Sequence, residues 1–195
     1  MLNIYDTVPK DYHKFLLDNI LSPNFEWNFW YKAIPDCLKL ENRVDAEKFS
    51  NPTQLKHVFL SKYKESKYFY LIDPLIQFYK SASNRDILKV HAAAAIMQHP
   101  VKELTNITPH VDFDKPHLKN SELVTIIYYA TKANGGTTLY NEFCSDSVTK
   151  DVTIWEYVPT QEGLMVEFNS NRFHSGVEPT DNIRIVITVI MEVAK

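Results

Sequence analysis

Apolar positions fall into two regimes along the chain, changing near residue 85. Before that point they recur at helical spacing. From Asp11 to Leu21, Tyr12, Phe15, Leu16 and Ile20 share one stripe, and Ser22-Pro23-Asn24 ends it. Asp73-Pro74 followed by Leu75, Ile76, Phe78 and Tyr79 predicts a second helix, with Asp73 as its N-cap and Pro74 at the first position. Between the helices, the aromatic stretch Phe25 to Tyr31 predicts a short strand, and residues 32–50, which show no period, predict a loop. Residues 1–84 thus read as helical and irregular support covering one face of a sheet.

After residue 85 the pattern becomes that of strands. Leu123 to Ala130 is β-branched and aromatic, and Asn134-Gly135-Gly136 turns the chain into Thr137-Thr138-Leu139-Tyr140. Val152 to Val158, Gly163 to Phe168 and Ile183 to Val193 predict further strands. Ile87 to Gln98 is ambiguous: four successive alanines favour a helix, but the strands that follow favour a strand. Seven or eight short strands separated by turns predict an α+β protein with a sandwich or jelly-roll core rather than a parallel α/β sheet.

Composition narrows the class of protein. A chain of 195 residues, 45% hydrophobic, is enough for one sizeable domain. The formal charge of −3 offers no basic footprint for nucleic acid. Cys37 and Cys144 stand far apart, so they predict reduced thiols rather than a disulfide framework or a thiolate zinc site. No apolar run reaches membrane-spanning length, and the first residues lack a leader pattern, so a soluble, cytoplasmic protein without a membrane partner is expected.

The candidate chemistry centres on Thr108-Pro109-His110-Val111-Asp112-Phe113. In an extended segment His110 and Asp112 point the same way, so an imidazole and a carboxylate can grip one metal ion. A second imidazole would complete the two-histidine, one-carboxylate set of non-heme Fe(II) oxygenases. Of the seven histidines, His174 is the best placed, in a connection between two predicted strands. His13 and His57 lie in the helical part, His91 and His99 flank the alanine-rich run, and His91 and His117 read as structural. Arg184 is the one cation in the apolar strand Ile183 to Val193. Buried, it would need an anion such as a bound dicarboxylate; otherwise it is a strand-edge residue exposed or paired with Glu178 or Asp181.

His110-x-Asp112, His174 and Arg184 together resemble the Fe(II)/2-oxoglutarate-dependent dioxygenases, and most of all their prolyl-4-hydroxylase-like branch, including small phage-type members. Val124 to Tyr129 followed by Gly135-Gly136, and Arg184 to Val189, resemble the corresponding strands of hypoxia-sensing prolyl hydroxylases. The similarity spans roughly residues 86–193. The last strand departs from the frequent Arg-x-Ser pattern, with Val186 at the serine position.

The resemblance implies a double-stranded β-helix (jelly roll), with residues 1–195 as a single domain: 1–84 as support and 85–195 as the core carrying the site. It implies Fe(II) on His110, Asp112 and His174, and 2-oxoglutarate on Arg184 and Tyr129, with Thr188 assisting through a water. It further implies O2 as oxidant, ascorbate as supporting reductant, and hydroxylation of a substrate C–H coupled to conversion of 2-oxoglutarate to succinate and CO2. The substrate is a small molecule or a peptide residue, and the resemblance leans towards a prolyl or other amino-acid residue. Related halogenases carry a small residue in place of the carboxylate, so Asp112 argues against halogenation. Two alternatives stay open at this point: a non-catalytic jelly-roll module binding a metal or carboxylate, and a cupin-like metalloenzyme that does not use 2-oxoglutarate.

Overall fold

The computed structural model describes residues 1–31, 52–112, 120–144 and 152–195; the expected loop over 32–50, Cys37 and His117 lie outside them. In chain order the elements are β1 (Leu2–Tyr5), α1 (Lys10–Ile20), β2 (Asn28–Trp30), β3 (Gln54–Leu60), α2 (Asp73–Ser83), β4 (Ile87–Gln98) and β5 (Ser121–Tyr129). They continue with β6 (Gly136–Phe143), β7 (Ile154–Pro159), β8 (Met165–Asn169), β9 (Arg172–Val177) and β10 (Arg184–Ala194). A seven-stranded sheet in the order β1-β8-β5-β10-β4-β3-β2 faces a three-stranded sheet in the order β7-β6-β9. All the strand pairs are antiparallel.

The two layers explain why β10 reads as continuously apolar. Its odd positions, Ile185, Ile187, Val189 and Met191, pack with Leu16 and Ile20 of α1 and Leu75, Ile76 and Tyr79 of α2. On the other face, Val186 joins Ile127 and Tyr129 of β5 against Leu139 of β6 and Val158 of β7. A central strand covered on both sides cannot alternate apolar with polar. The architecture is a jelly-roll core with helices on one face, as the pattern predicts.

The ambiguity over residues 87–98 is settled in favour of a strand. β4 is hydrogen-bonded to β10 on one side and β3 on the other, so two ladders outweigh the helical preference of its alanines. Ala93 and Ala95 join the helix-side core. Ala92 and Ala94 face the opposite way and leave room for a cavity between the sheets.

Four local expectations are corrected. The N-terminal part is not only helical and irregular, because β1 pairs with β8 and β3 pairs with β4. The capping position of α2 is Ile72 rather than Asp73, without a side-chain cap; the preceding 3-10 turn Phe69–Leu71 runs almost directly into the helix. Phe15 is 45% exposed at the rim of the α1 stripe rather than buried with Leu16. Finally, β5 and β6 do not form a hairpin, since they lie in different sheets. Gly135 is required by a close approach instead of a turn: a Cβ there would lie 2.4 Å from the Val177 carbonyl oxygen.

Candidate metal centre

The segment carrying His110 and Asp112 runs antiparallel beside β9 as an irregular continuation of the small sheet. Ile107 N–H donates to the Gly176 carbonyl (2.8 Å) and Asp112 N–H to that of Ser170 (3.2 Å). Between them, His110 and His174 exchange both backbone hydrogen bonds, each at 2.9 Å. His174 therefore belongs to a strand, not to the connection expected from the sequence, and it is only 4% exposed.

This pairing brings the two imidazoles to 4.4 Å between ring centroids. His110 Nδ1 bonds to the Thr108 carbonyl at 3.1 Å, and His174 Nδ1 to the Arg172 carbonyl at 3.2 Å. A carbonyl only accepts, so each Nδ1 carries the proton and each Nε2 keeps its lone pair for the cavity. Asp112 Oδ2 lies 3.4 Å from His174 Nε2. One ligand atom from each of His110, Asp112 and His174 lies within 4.8 Å of the others, a spacing that could hold one metal ion. Thr125 Oγ1 on β5 donates to Asp112 Oδ2 at 2.8 Å and orients it. Burial, reinforced by His174 and opposed by Asp112, pulls the His110 imidazole down to about 3, so it is held as the neutral base a metal needs.

The triad opens onto a cavity of about 320 Å³ between the sheets, which Arg184, Thr188 and Lys56 also line. Arg184 is 3% exposed, which removes the reading of an exposed edge residue. Its guanidinium donates to neutral groups: Nε to Thr160 Oγ1 (3.1 Å), Nη1 to Gln98 Oε1 (2.7 Å) and Nη2 to Thr137 Oγ1 (3.3 Å). Among the described residues no carboxylate pairs with it, and Asp181 is engaged with the backbone N–H groups of Asn134 and Asn182. Burial lowers the pKa of the guanidinium, with Tyr129 opposing, as expected for a charge that lacks its counter-ion.

The remaining predicted residues divide by face. Tyr129 is fully buried on the cavity side, its hydroxyl donating to Thr137 Oγ1 (2.9 Å), with the Arg184 Cζ 5.6 Å from its ring centre. Tyr128 points oppositely, towards His13 (2.5 Å). Thr188 lines the cavity on the same face of β10 as Arg184, and its hydroxyl donates to the Ala94 carbonyl at 3.4 Å. Gly176 faces the cavity between Arg184 and the triad; a Cβ there would stand 3.3 Å from Ile107 and 3.6 Å from Arg184 Nη1. A side chain at Gly176 would take up part of the space beside the guanidinium.

Sequence reasoning missed Thr125, Gln98 and Lys56. Thr125 is the one hydroxyl residue within Leu123 to Ile127, and Gln98 ends an apolar run. Lys56 was hidden because Gln54 to Leu60 was read as irregular; recognised as a strand, its even positions would all face one side.

No protein-family model matches the chain, and no curated protein matches it by sequence. Solved structures do match. A prolyl-4-hydroxylase from Pseudomonas putida is 13% identical, covering 97% of this chain and 91% of the other, with a TM-score of 0.55. The chain has the fold of the Fe(II)/2-oxoglutarate oxygenases. The viral collagen prolyl hydroxylase of Paramecium bursaria Chlorella virus-1, solved with 2-oxoglutarate, is 13% identical over 100% of this chain and 96% of the other (TM-score 0.52). SnoN, an α-ketoglutarate-dependent epimerase of nogalamycin biosynthesis, reaches a TM-score of 0.62 at 12% identity, covering 97% of this chain and 77% of its own. Prolyl hydroxylases and an epimerase share this oxygenase fold, so the fold does not choose the substrate. None of the described helices is long and apolar enough to cross a membrane.

Proposed function

We propose that this protein is an Fe(II)- and 2-oxoglutarate-dependent oxygenase that hydroxylates a substrate C–H. The observation that carries the reading is Arg184, a buried cation without a carboxylate among the described residues, in the same cavity as the two-histidine, one-carboxylate cluster. A structural metal site has no use for such a guanidinium, whereas a dicarboxylate cosubstrate supplies its missing partner.

His110 and His174 would hold the metal through Nε2, each fixed by its backbone carbonyl, and Asp112 would hold it through its carboxylate, steadied by Thr125. Arg184 would bind the distal carboxylate of 2-oxoglutarate, with Thr188 further along the strand and Tyr129 acting from behind the cavity wall through Thr137, to which both it and Arg184 donate. The bound metal and cosubstrate would supply the oxidation, in which one atom of O2 enters succinate, the other enters the product hydroxyl, and CO2 leaves. The protein's own part is to orient the reactants and exclude water with the apolar walls of Val58, Ile127 and Val186.

Succinate release from 2-oxoglutarate with added Fe(II) and ascorbate tests the proposal. Turnover should depend on Fe(II) and be lost in Arg184→Ala. An Arg184→Ala protein that consumes 2-oxoglutarate as well as wild type would remove the cosubstrate assignment, and unchanged iron content in His174→Ala would remove the metal triad.

A further inference from the structure

Lys56 is a second cation in the same cavity, and nothing in the proposed chemistry uses it. It lies on β3 opposite Ile96, which pairs with Val186, whereas Arg184 pairs with Gln98. Lys56 is therefore two strands across and two residues along from Arg184, about 10 Å sideways between their backbones at the usual strand spacing. Its ammonium sits 4.7 Å from the Trp30 ring centre. No carboxylate lies within ion-pairing distance of it among the described residues. Burial lowers its pKa while Asp112 raises it, so the ammonium lies within the electrostatic reach of the metal cluster.

We propose that Lys56 anchors the primary substrate, and that this substrate is a small carboxylic acid with a single negative charge and an apolar body. The inference rests on the oxygenase reading and goes beyond it by assigning the substrate class. Charge within the cavity carries the first half of the argument. A divalent metal contributes two positive charges, Lys56 and Arg184 one each, and Asp112, the one acidic residue among the described lining residues, removes one. Doubly charged 2-oxoglutarate then leaves one positive charge, in a site where an uncompensated charge is costly. Among the described residues, a monocarboxylate on Lys56 closes that balance, which a zwitterion or a neutral substrate leaves open.

The walls carry the second half. Beyond Lys56 the cavity is lined by Val58 and Leu60 of β3, Ala92 and Ala94 of β4 and Ile190 of β10. Apart from Ser61, which follows Leu60 in the lining, these offer hydrocarbon to the body of the acid. The Trp30 face holds the ammonium over one side, which fixes where the carboxylate docks. With its head on Lys56, the substrate presents its chain to the metal from the side away from Arg184.

The test is calorimetric titration of the full chain loaded with Mn(II), which holds the metal position without turnover. 2-Oxoglutarate is added first, then butanoate, hexanoate and octanoate, each against its primary amide. At least one acid should bind tenfold or more tighter than its amide. Lys56→Met should abolish that preference, Lys56→Arg should keep it, and the affinity for 2-oxoglutarate should stay within twofold in both. Three results overturn the proposal: no acid binds, acid affinity is unchanged in Lys56→Met, or 2-oxoglutarate affinity falls tenfold in that variant, which would make Lys56 a cosubstrate contact. Failure of 2-oxoglutarate to bind in the first titration sinks the oxygenase reading instead. The acid titration without 2-oxoglutarate then still decides whether Lys56 holds a carboxylate.

Discussion

Arg184 and Gln98 face each other across the β10–β4 ladder, and the guanidinium donates to the amide oxygen at 2.7 Å. Together with Thr137 and Thr160, Gln98 fixes the orientation of the planar Arg184 fork within the cavity. Arg184→Lys should therefore not rescue function: an ammonium cannot make this set of bonds and present two parallel donors as well. About a hundredfold loss of 2-oxoglutarate affinity is expected for Arg184→Lys, in line with the loss of one charge-assisted bidentate contact. Titration of 2-oxoglutarate into the Mn(II) protein checks it; affinity within a few-fold of wild type would show that a point charge suffices.

In the proposed metal centre Thr125 would act on the metal only through Asp112. Thr125→Val keeps the shape but removes the 2.8 Å hydrogen bond, so metal affinity should drop by about ten- to a hundredfold, with Thr125→Ser restoring most of it. Competition against a chelator reads the constants directly. A purely structural role predicts lower thermal stability in Thr125→Val with unchanged metal affinity.

Glu167 on β8 is 2% exposed and accepts from Arg85 at 2.7 Å, from Tyr5 at 2.5 Å and from Asn3 at 3.3 Å. Arg85 also bonds Glu122 of β5, so one network ties β1, β8 and β5 to the segment before β4. Arg85→Ala leaves a buried carboxylate without its cation and should cost about 3 kcal/mol in denaturant unfolding. Arg85→Ala combined with Glu167→Gln should recover part of that loss; additive losses would show that the pair is not coupled.

Metal-free protein should weaken in acid. His110 has a folded-state value of about 3 against an ordinary one near 6.5, so between these values the unfolded chain binds a proton that the folded chain refuses. The contribution is complete above about pH 6.5 and is lost as pH falls towards 3. Thermal melts of chelator-treated protein across that range should slope downwards towards acid, and His110→Asn should flatten the slope. A slope that survives the substitution would assign it to other groups.

Much of this molecule could be read from its sequence because the residues involved carry single, strong constraints. The alternation of short strands and turns after residue 85 implied the layered core, and Arg184 within an apolar strand called for an anion if buried. His110 and Asp112 shared a face in any extended segment. What could not be read depended on partners distant in sequence. The strand at Gln54 to Leu60 becomes evident only when β4 lies alongside it. Gly135 and Gly136 resemble a turn in sequence, yet they stand where a Cβ would lie 2.4 and 2.6 Å from the carbonyl oxygens of Val177 and Val158. Asp73 precedes a proline as an N-cap often does, but the upstream 3-10 turn shifted the helix start.

His110 and His174 answer each other's backbone as well as offering their side chains to one centre. Freeing one imidazole by peeling its strand away undoes the seam that positions the other, so the two ligands are gained and lost together. In the proposed metal centre, a clasp of this kind would make metal uptake cooperative with closure of the 105–112 seam. Loading the centre should therefore slow hydrogen exchange at the amides of His110 and His174 together.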